Sequence, residues 1–172
     1  HENNTEGFYI AAVQKPGSEK SQKKQKFKGN KLQKTKDLSP FLNFINIEDI
    51  EIWNWNDCHF ALPKEQVQNF RLIQQNLKIV KFGTELGSIF KNKLLPNHAL
   101  AMNPHLLKYT EKIELSKEQA LLYLKGETFK LETNKNIYLV TFQNIPLGWI
   151  KHLGNRFNNL YPNHWRIRMR LD

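Results

Sequence analysis

Between Lys15 and Lys36 the chain carries nine lysines against a single acid, Glu19, with Phe27 and Leu32 as the only large apolar residues. A segment of that composition cannot bury enough surface to offset the entropy lost on ordering it. It therefore divides the chain. On its amino-terminal side lies one apolar run, Thr5-Glu6-Gly7-Phe8-Tyr9-Ile10-Ala11-Ala12-Val13, which reads as a short buried strand. A lone strand cannot cover both of its faces, so the run is expected to be the severed end of another domain's sheet. Residues 38–172 must supply the fold.

The same tract accounts for the charge. Of 26 basic and 16 acidic residues it holds nine and one, leaving 17 against 15, so the formal charge of +10 belongs mostly to the tract. Two readings fit it. A flexible polycation neutralises phosphates with an affinity that falls steeply with salt, and here Lys23, Lys24, Lys26 and Lys28 are the candidates for such nonspecific contacts. A solvated linker kept extended by its own charge fits equally well, because no aromatic residues are interleaved to read bases.

Beyond the tract, order resumes near Leu38-Ser39-Pro40-Phe41. Ile50 to Ala61 reads as extended chain, with a change of apolar parity between Ile52 and Trp53 that suggests a bulge or turn. Pro63 suits a first helical position, and Val67, Phe70, Ile73 and Leu77 then fall on one face of an amphipathic helix. Leu77 to Phe82 and Leu86 to Leu95 read as strands separated by Gly83, followed by a short helix over 96–102. Tyr109, Ile113 and Leu115 alternate with polar residues as in a half-buried strand. Ser116 with Gln119 forms a capping-box signature for a helix that Gly126 ends. Ile137 to Phe142 is a buried strand, and Pro146 to Ile150 opens another after a turn at Gln143-Asn144. Short strands with two or three short helices make the chain α+β, built around a small sheet or barrel. The hydrophobic content of 40% is enough for a packed core.

Several function classes drop out. No apolar run approaches the roughly 20 residues of a membrane-spanning helix, so no membrane partner is expected. The start lacks the basic and apolar segments of a signal peptide. The single cysteine, Cys58, excludes an internal disulfide framework and fits a reducing, cytoplasmic location. Cys58-His59 has no second close ligand pair, since His98 and His105 stand apart, so no metal site is expected.

The sharpest candidate site is C-terminal. Gly148 to Asp172 carry Lys151, Arg156, Arg166, Arg168 and Arg170 against Asp172 alone, interleaved with Trp149, Phe157, Tyr161 and Trp165. Guanidinium groups bridge phosphates and planar rings stack on unpaired bases, so this mixture suits RNA. Alternation along Arg166-Ile167-Arg168-Met169-Arg170 would set three arginines on one strand face. The alternative is a core of aromatics behind an ordinary solvated face, and Trp149 in particular reads either way. His98, after a proline, is a candidate phosphate contact or a histidine hydrogen-bonded within the fold. Trp53 and Trp55, beside acids in the stretch Asp49 to Asp57, read as core, or as a protein-docking surface.

Thr5-Glu6-Gly7-Phe8-Tyr9-Ile10-Ala11 resembles the closing strand of the catalytic domain in the Sun family of RNA cytosine-5 methyltransferases. Downstream, four blocks resemble the PUA-like region of the RsmF-like members: Leu86-Gly87 with Pro96-Asn97-His98-Ala99-Leu100-Ala101, Tyr123 to Glu127, Pro146 to Lys151, and Asn158 to Pro162. The resemblance implies residues 1–15 as a catalytic-domain remnant, 16–37 as a basic linker, 38–82 as a small α+β domain, and 83–172 as a PUA-like, β-rich pseudo-barrel that binds RNA. It implies a parent enzyme that methylates a cytosine of small-subunit rRNA with S-adenosylmethionine, and an upstream catalytic domain as partner. The family's Pro-Cys and Thr-Cys motifs and its glycine-rich cofactor loop do not occur here, so no catalytic residue and no cofactor are expected in this chain alone. RNA-binding residues are expected at Lys151, Arg156, Arg166, Arg168, Arg170, Trp149 and His98. The two folded units should pack together, each being short of core alone.

Overall fold

The computed structural model describes residues 32–169 apart from Lys78, Tyr109 and Thr110. The expectations for residues 1–15, for Lys23, Lys24, Lys26 and Lys28, and for Arg170 fall outside the described residues.

The first sheet is a five-stranded antiparallel meander in sequence order: β1 (Gln33–Lys34), β2 (Ile50–Trp55), β3 (Cys58–Pro63), β4 (Thr84–Phe90) and β5 (Lys93–Pro96). Helix α1 (Val67–Asn76) joins β3 to β4. Two-residue turns close the β2–β3 and β4–β5 hairpins, with positive φ at Asn56, Asp57, Lys91 and Asn92. Positive φ at both central positions is the I′ geometry, whose twist matches the flanking strands. The expected single strand from Leu86 to Leu95 is thus a hairpin, and the described residues of 77–82 form no strand.

The parity change after Ile52 is not a bulge. Strand β2 runs through it in regular register, Ile52 opposite Ala61 and Trp53 opposite Phe60. Both faces of the sheet are covered, so both parities can be apolar. On one face Trp53, Phe60 and Leu62 pack with Val67 and Phe70 of α1 and with Phe82. On the other, Ile52, Ala61, Leu86 and Leu94 meet Phe41, Ile45, Leu100 and Ala101.

Helix α2 (His98–Ala101) follows, and then the second sheet. Strand β6 (Lys112–Glu114) lies parallel to β7 (Ile137–Phe142), with α3 (Lys117–Lys125) in the crossover. Strands β8 (Ile145–His152) and β9 (Phe157–Asn159) complete it antiparallel. Ser116 and Gln119 form the expected capping box, and Gly126 takes φ 81° at the helix end. Ala120 and Tyr123 of α3 pack on Tyr138, Val140, Ile150 and Phe157.

The two sheets share a core. Leu139 of β7 and Trp149 of β8 belong to the same buried cluster as Leu86 and Leu94 of the first sheet. The expected boundary at 82/83 is overturned, because β4 and β5 are hydrogen-bonded to β3 and belong to the first sheet. The linker also ends early: β1 pairs with β2 at Gln33 and Lys34. The chain is α+β, a small mixed unit followed by a β-rich one.

Candidate nucleic-acid interface

The C-terminal aromatic cluster is assembled from three elements. Asn97 caps α2 by accepting the Ala99 N–H at 2.8 Å. Its carbonyl accepts the Trp149 indole N–H at 3.0 Å, tying α2 to β8. Tyr123 of α3 donates its hydroxyl to the Trp149 carbonyl at 3.1 Å. Gly148, at φ 143°, lets these groups approach: a Cβ there would collide with the Tyr123 hydroxyl and lie 2.9 Å from His98 Nδ1.

Trp149 therefore has no exposed surface and offers no face to a base. Its indole fills the core between the sheets, with Phe44 against its edge at 6.1 Å. The stacking role expected of it is corrected to a structural one.

His98 is also internal. Burial pushes its imidazole pKa below the ordinary value, which disfavours the cation that a phosphate contact would use. Its Nδ1 is buried without a hydrogen-bond partner among the described residues. The ring is held instead by Tyr161 and Trp165, edge-on at 5.3 Å and 5.0 Å.

Trp165 is the residue that the sequence-based set left out. It ends a 3-10 turn, Asn163–Trp165, opened by Pro162. Its backbone N–H donates to the Pro162 carbonyl at 3.0 Å; the residue is 55% exposed, and its ring lies beside His98 and His164. Aromatic neighbours fix the ring while solvent reaches it. Its sequence signals are its place among the aromatics interleaved with the arginines and the Pro-Asn-His-Trp order of a turn.

Arg166 and Arg168, which follow, do not lie in a strand. The Ile167 N–H donates to Leu124 O at 3.1 Å, which ties the segment to the end of α3 rather than to a sheet edge. Arg166 is half-buried with its Nε lacking a partner, and its guanidinium lies over Gly126, where a Cβ would collide with it. Arg168 is exposed, and so is Met169 at 75%. The expected strand with its arginines on one face is thus corrected for Arg166 and Arg168, which no sheet edge receives. Trp165, Arg166 and Arg168 nonetheless adjoin one another at the end of α3.

Lys151 and Arg156 stand elsewhere. Lys151 is half-buried in β8, opposite Ile137 and Asn158. Arg156 is exposed in the turn between β8 and β9, at a separate cleft. Neither Arg156 nor Arg168 forms an ion pair with a described residue. The seven expected residues are therefore not one site.

Trp53 is buried under α1, with Arg71 stacked 5.8 Å above its ring, and Trp55 packs on Phe60 and Phe82. Their docking role is withdrawn in favour of core. Burial raises the Cys58 thiol pKa, so the thiol stays protonated and unreactive near neutral pH. No group of three or more His, Cys, Asp or Glu that could hold a metal occurs among the described residues. No helix among them is long and apolar enough to cross a membrane.

Two family models match the chain in succession. Residues 44–103 match the RsmF rRNA methyltransferase first C-terminal domain, and residues 110–167 match the methyltransferase RsmF PUA domain. The gap between them falls after α2, where the first sheet has ended and β6 has not begun. The chain is 24% identical to Ribosomal RNA small subunit methyltransferase F of Shewanella piezotolerans, over 92% of this chain and 35% of that protein. It is 32% identical to the protein of that name from Shewanella loihica, over 50% of this chain and 18% of that protein. The chain thus spans about a third or less of the length of these relatives.

Proposed function

The chain belongs to the RsmF family of ribosomal RNA methyltransferases and carries its two C-terminal domains, and on that premise we propose that it holds structured small-subunit rRNA for an upstream catalytic domain. That domain would use S-adenosylmethionine to methylate a cytosine at C5, in the reducing cytoplasm that a single cysteine fits.

The observation that carries the RNA reading is Trp165, a fixed and solvent-exposed ring followed by Arg166 and Arg168. A rigid ring stacks on an unpaired base at little entropic cost, and adjacent guanidinium groups bridge phosphates. A methyltransferase must take its target base out of the helix, so RNA near the site has unpaired bases to offer. This chain's share of the mechanism is positional: it binds and orients. His98, uncharged, supports the stacking ring from beneath rather than meeting phosphate. The test is binding of the chain to a small-subunit rRNA helix and to an unrelated duplex. Preference for the rRNA that Trp165→Ala removes supports the reading, and equal affinity for both RNAs contradicts it.

One observation favours a second reading, docking on another protein surface. The far end of α1 and the segment after it expose Ile73, Leu77 and Val80, the last at 80%. Cross-linking from this face to a separately produced catalytic domain would support it.

A further inference from the structure

The meander brings distant parts of the chain to one end of the first sheet. Gln33, Asn54, His59, Gly87 and Pro96 lie in a single row across its strands. Strand β1 runs antiparallel to β4, so Leu32 and the residues after Gly87 lie on the same side of that row. The β4–β5 turn, Lys91-Asn92, therefore stands at the end of the sheet where the lysine tract joins it. Three strand spacings, about 14 Å, separate β1 from β4.

The faces agree as well. Leu94 is buried in the core shared with the second sheet, and Ile89, opposite it, packs against that core. Side chains alternate along a strand, so Phe90 and its cross-strand partner Lys93 point to the other face, the one that α1 covers. Leu32 packs on the cluster of that same face. Phe90 is 64% exposed even with Lys91 Nζ 5.5 Å from the centre of its ring. Among the described residues, Phe90 and Trp165 are the aromatics that stand exposed. The I′ turn fixes the backbone beside the ring, with φ 48° at Lys91 and 61° at Asn92. Lys91 and Lys93 form no ion pair with a described residue, and the neighbouring β2–β3 turn carries one acid, Asp57.

An exposed ring on a fixed turn, flanked by two lysines, has the make-up of a stacking platform with phosphate contacts beside it. The lysine tract supplies the complementary half. It neutralises phosphates, but Phe27 is its one aromatic against nine lysines, so it holds charge better than bases. Resting on the RNA reading above, we propose that the β4–β5 tip is a second RNA contact, where Phe90 stacks on one unpaired base. The phosphates of that strand meet Lys91, Lys93 and the adjoining lysine tract. A protein partner fits this tip less well, because Lys91, Asn92 and Lys93 surround the ring with polar groups rather than a continuous apolar patch. The tip shares no residue with the Trp165 surface, so each of the two units contributes one ring to the grip.

The test measures, by fluorescence anisotropy, binding of the full chain carrying Trp165→Ala to two oligonucleotides of equal length and charge, a single-stranded RNA and its abasic counterpart. The RNA should bind roughly tenfold tighter than the abasic strand. Adding Phe90→Ala should abolish that difference and adding Phe90→Tyr should keep it. Both should leave affinity for the abasic strand unchanged, which also reports intact folding. Lys91→Gln with Lys93→Gln should weaken binding to both strands and flatten the salt slope. Equal binding of the two strands before Phe90 is changed, or a difference that survives Phe90→Ala, overturns the hairpin contact. The RNA reading then still stands on the Trp165-dependent preference for the rRNA helix. Absence of that preference in the wild type, with no binding to either strand, overturns both.

Discussion

Trp149 and Trp165 belong to the same basic, aromatic stretch, yet one has no exposed surface and the other is 55% exposed. Pattern alone did not separate them. A tryptophan in an apolar strand run and one after Pro-Asn-His are equally good stacking residues on paper, and only the second sheet's packing on the first decides. Trp149→Ala should therefore cost about 3–5 kcal/mol of folding stability, measured by chemical denaturation. Trp165→Ala should leave stability nearly unchanged and weaken RNA binding by roughly 5–150-fold, the usual range for loss of a stacked base. A second residue-scale consequence concerns acid. Burial depresses the imidazole pKa of both His59 and His98 below the ordinary value of 6.5. Protonation therefore favours the unfolded chain, so stability is full above pH 6.5 and is lost as pH falls below it toward the folded-state values. Thermal unfolding should show the melting temperature dropping between pH 7 and pH 5. His98→Asn should make that drop shallower.

At the scale of elements, the legible features were those with chemistry of their own. The capping box at Ser116 and Gln119, the Gly126 stop, the α1 face beginning at Val67 and Phe70, and the turn at Gln143-Asn144 all stand where their residues indicated. The β4–β5 hairpin was missed because Lys91-Asn92 lacks the glycine that marks most turns of its type. The supposed break in β2 arose because alternation is a one-sided signal, and this strand is covered on both sides. Part of the α1 face was misleading too, since Ile73 and Leu77 remain exposed while Val67 and Phe70 are buried. The Gly126 stop also links element to site. Gly126→Ala should cost about 1–2 kcal/mol for its left-handed backbone. The added Cβ also displaces Arg166, so RNA affinity should fall with stability. Comparing the binding of Gly126→Ala with that of an equally destabilised variant in α1 isolates the second effect.

For the whole molecule, the expected boundary failed and the expected partnership of the two units held. Strands pair with whichever neighbour completes the sheet, and Gly83 marked a turn within the first unit rather than its end. Each sheet has a smaller cluster of its own, and Leu139 and Trp149 of the second join the largest cluster, which lies against the first. Residues 32–169 should therefore unfold in a single cooperative transition. Calorimetry showing two separate transitions would contradict a shared core. The charge has a whole-molecule meaning as well, because an affinity carried by the lysine tract alone would be steeply salt-dependent and blind to sequence.

That contrast selects the decisive measurement: the affinity of the chain for a small-subunit rRNA helix across a salt series, beside a variant with Lys23, Lys24, Lys26 and Lys28 changed to Gln. The account predicts that the variant keeps its preference for the rRNA over an unrelated duplex, with a shallower salt slope, and loses that preference when Trp165→Ala is added. Disappearance of all binding with the four lysines would contradict it, leaving the folded surface no part in holding RNA.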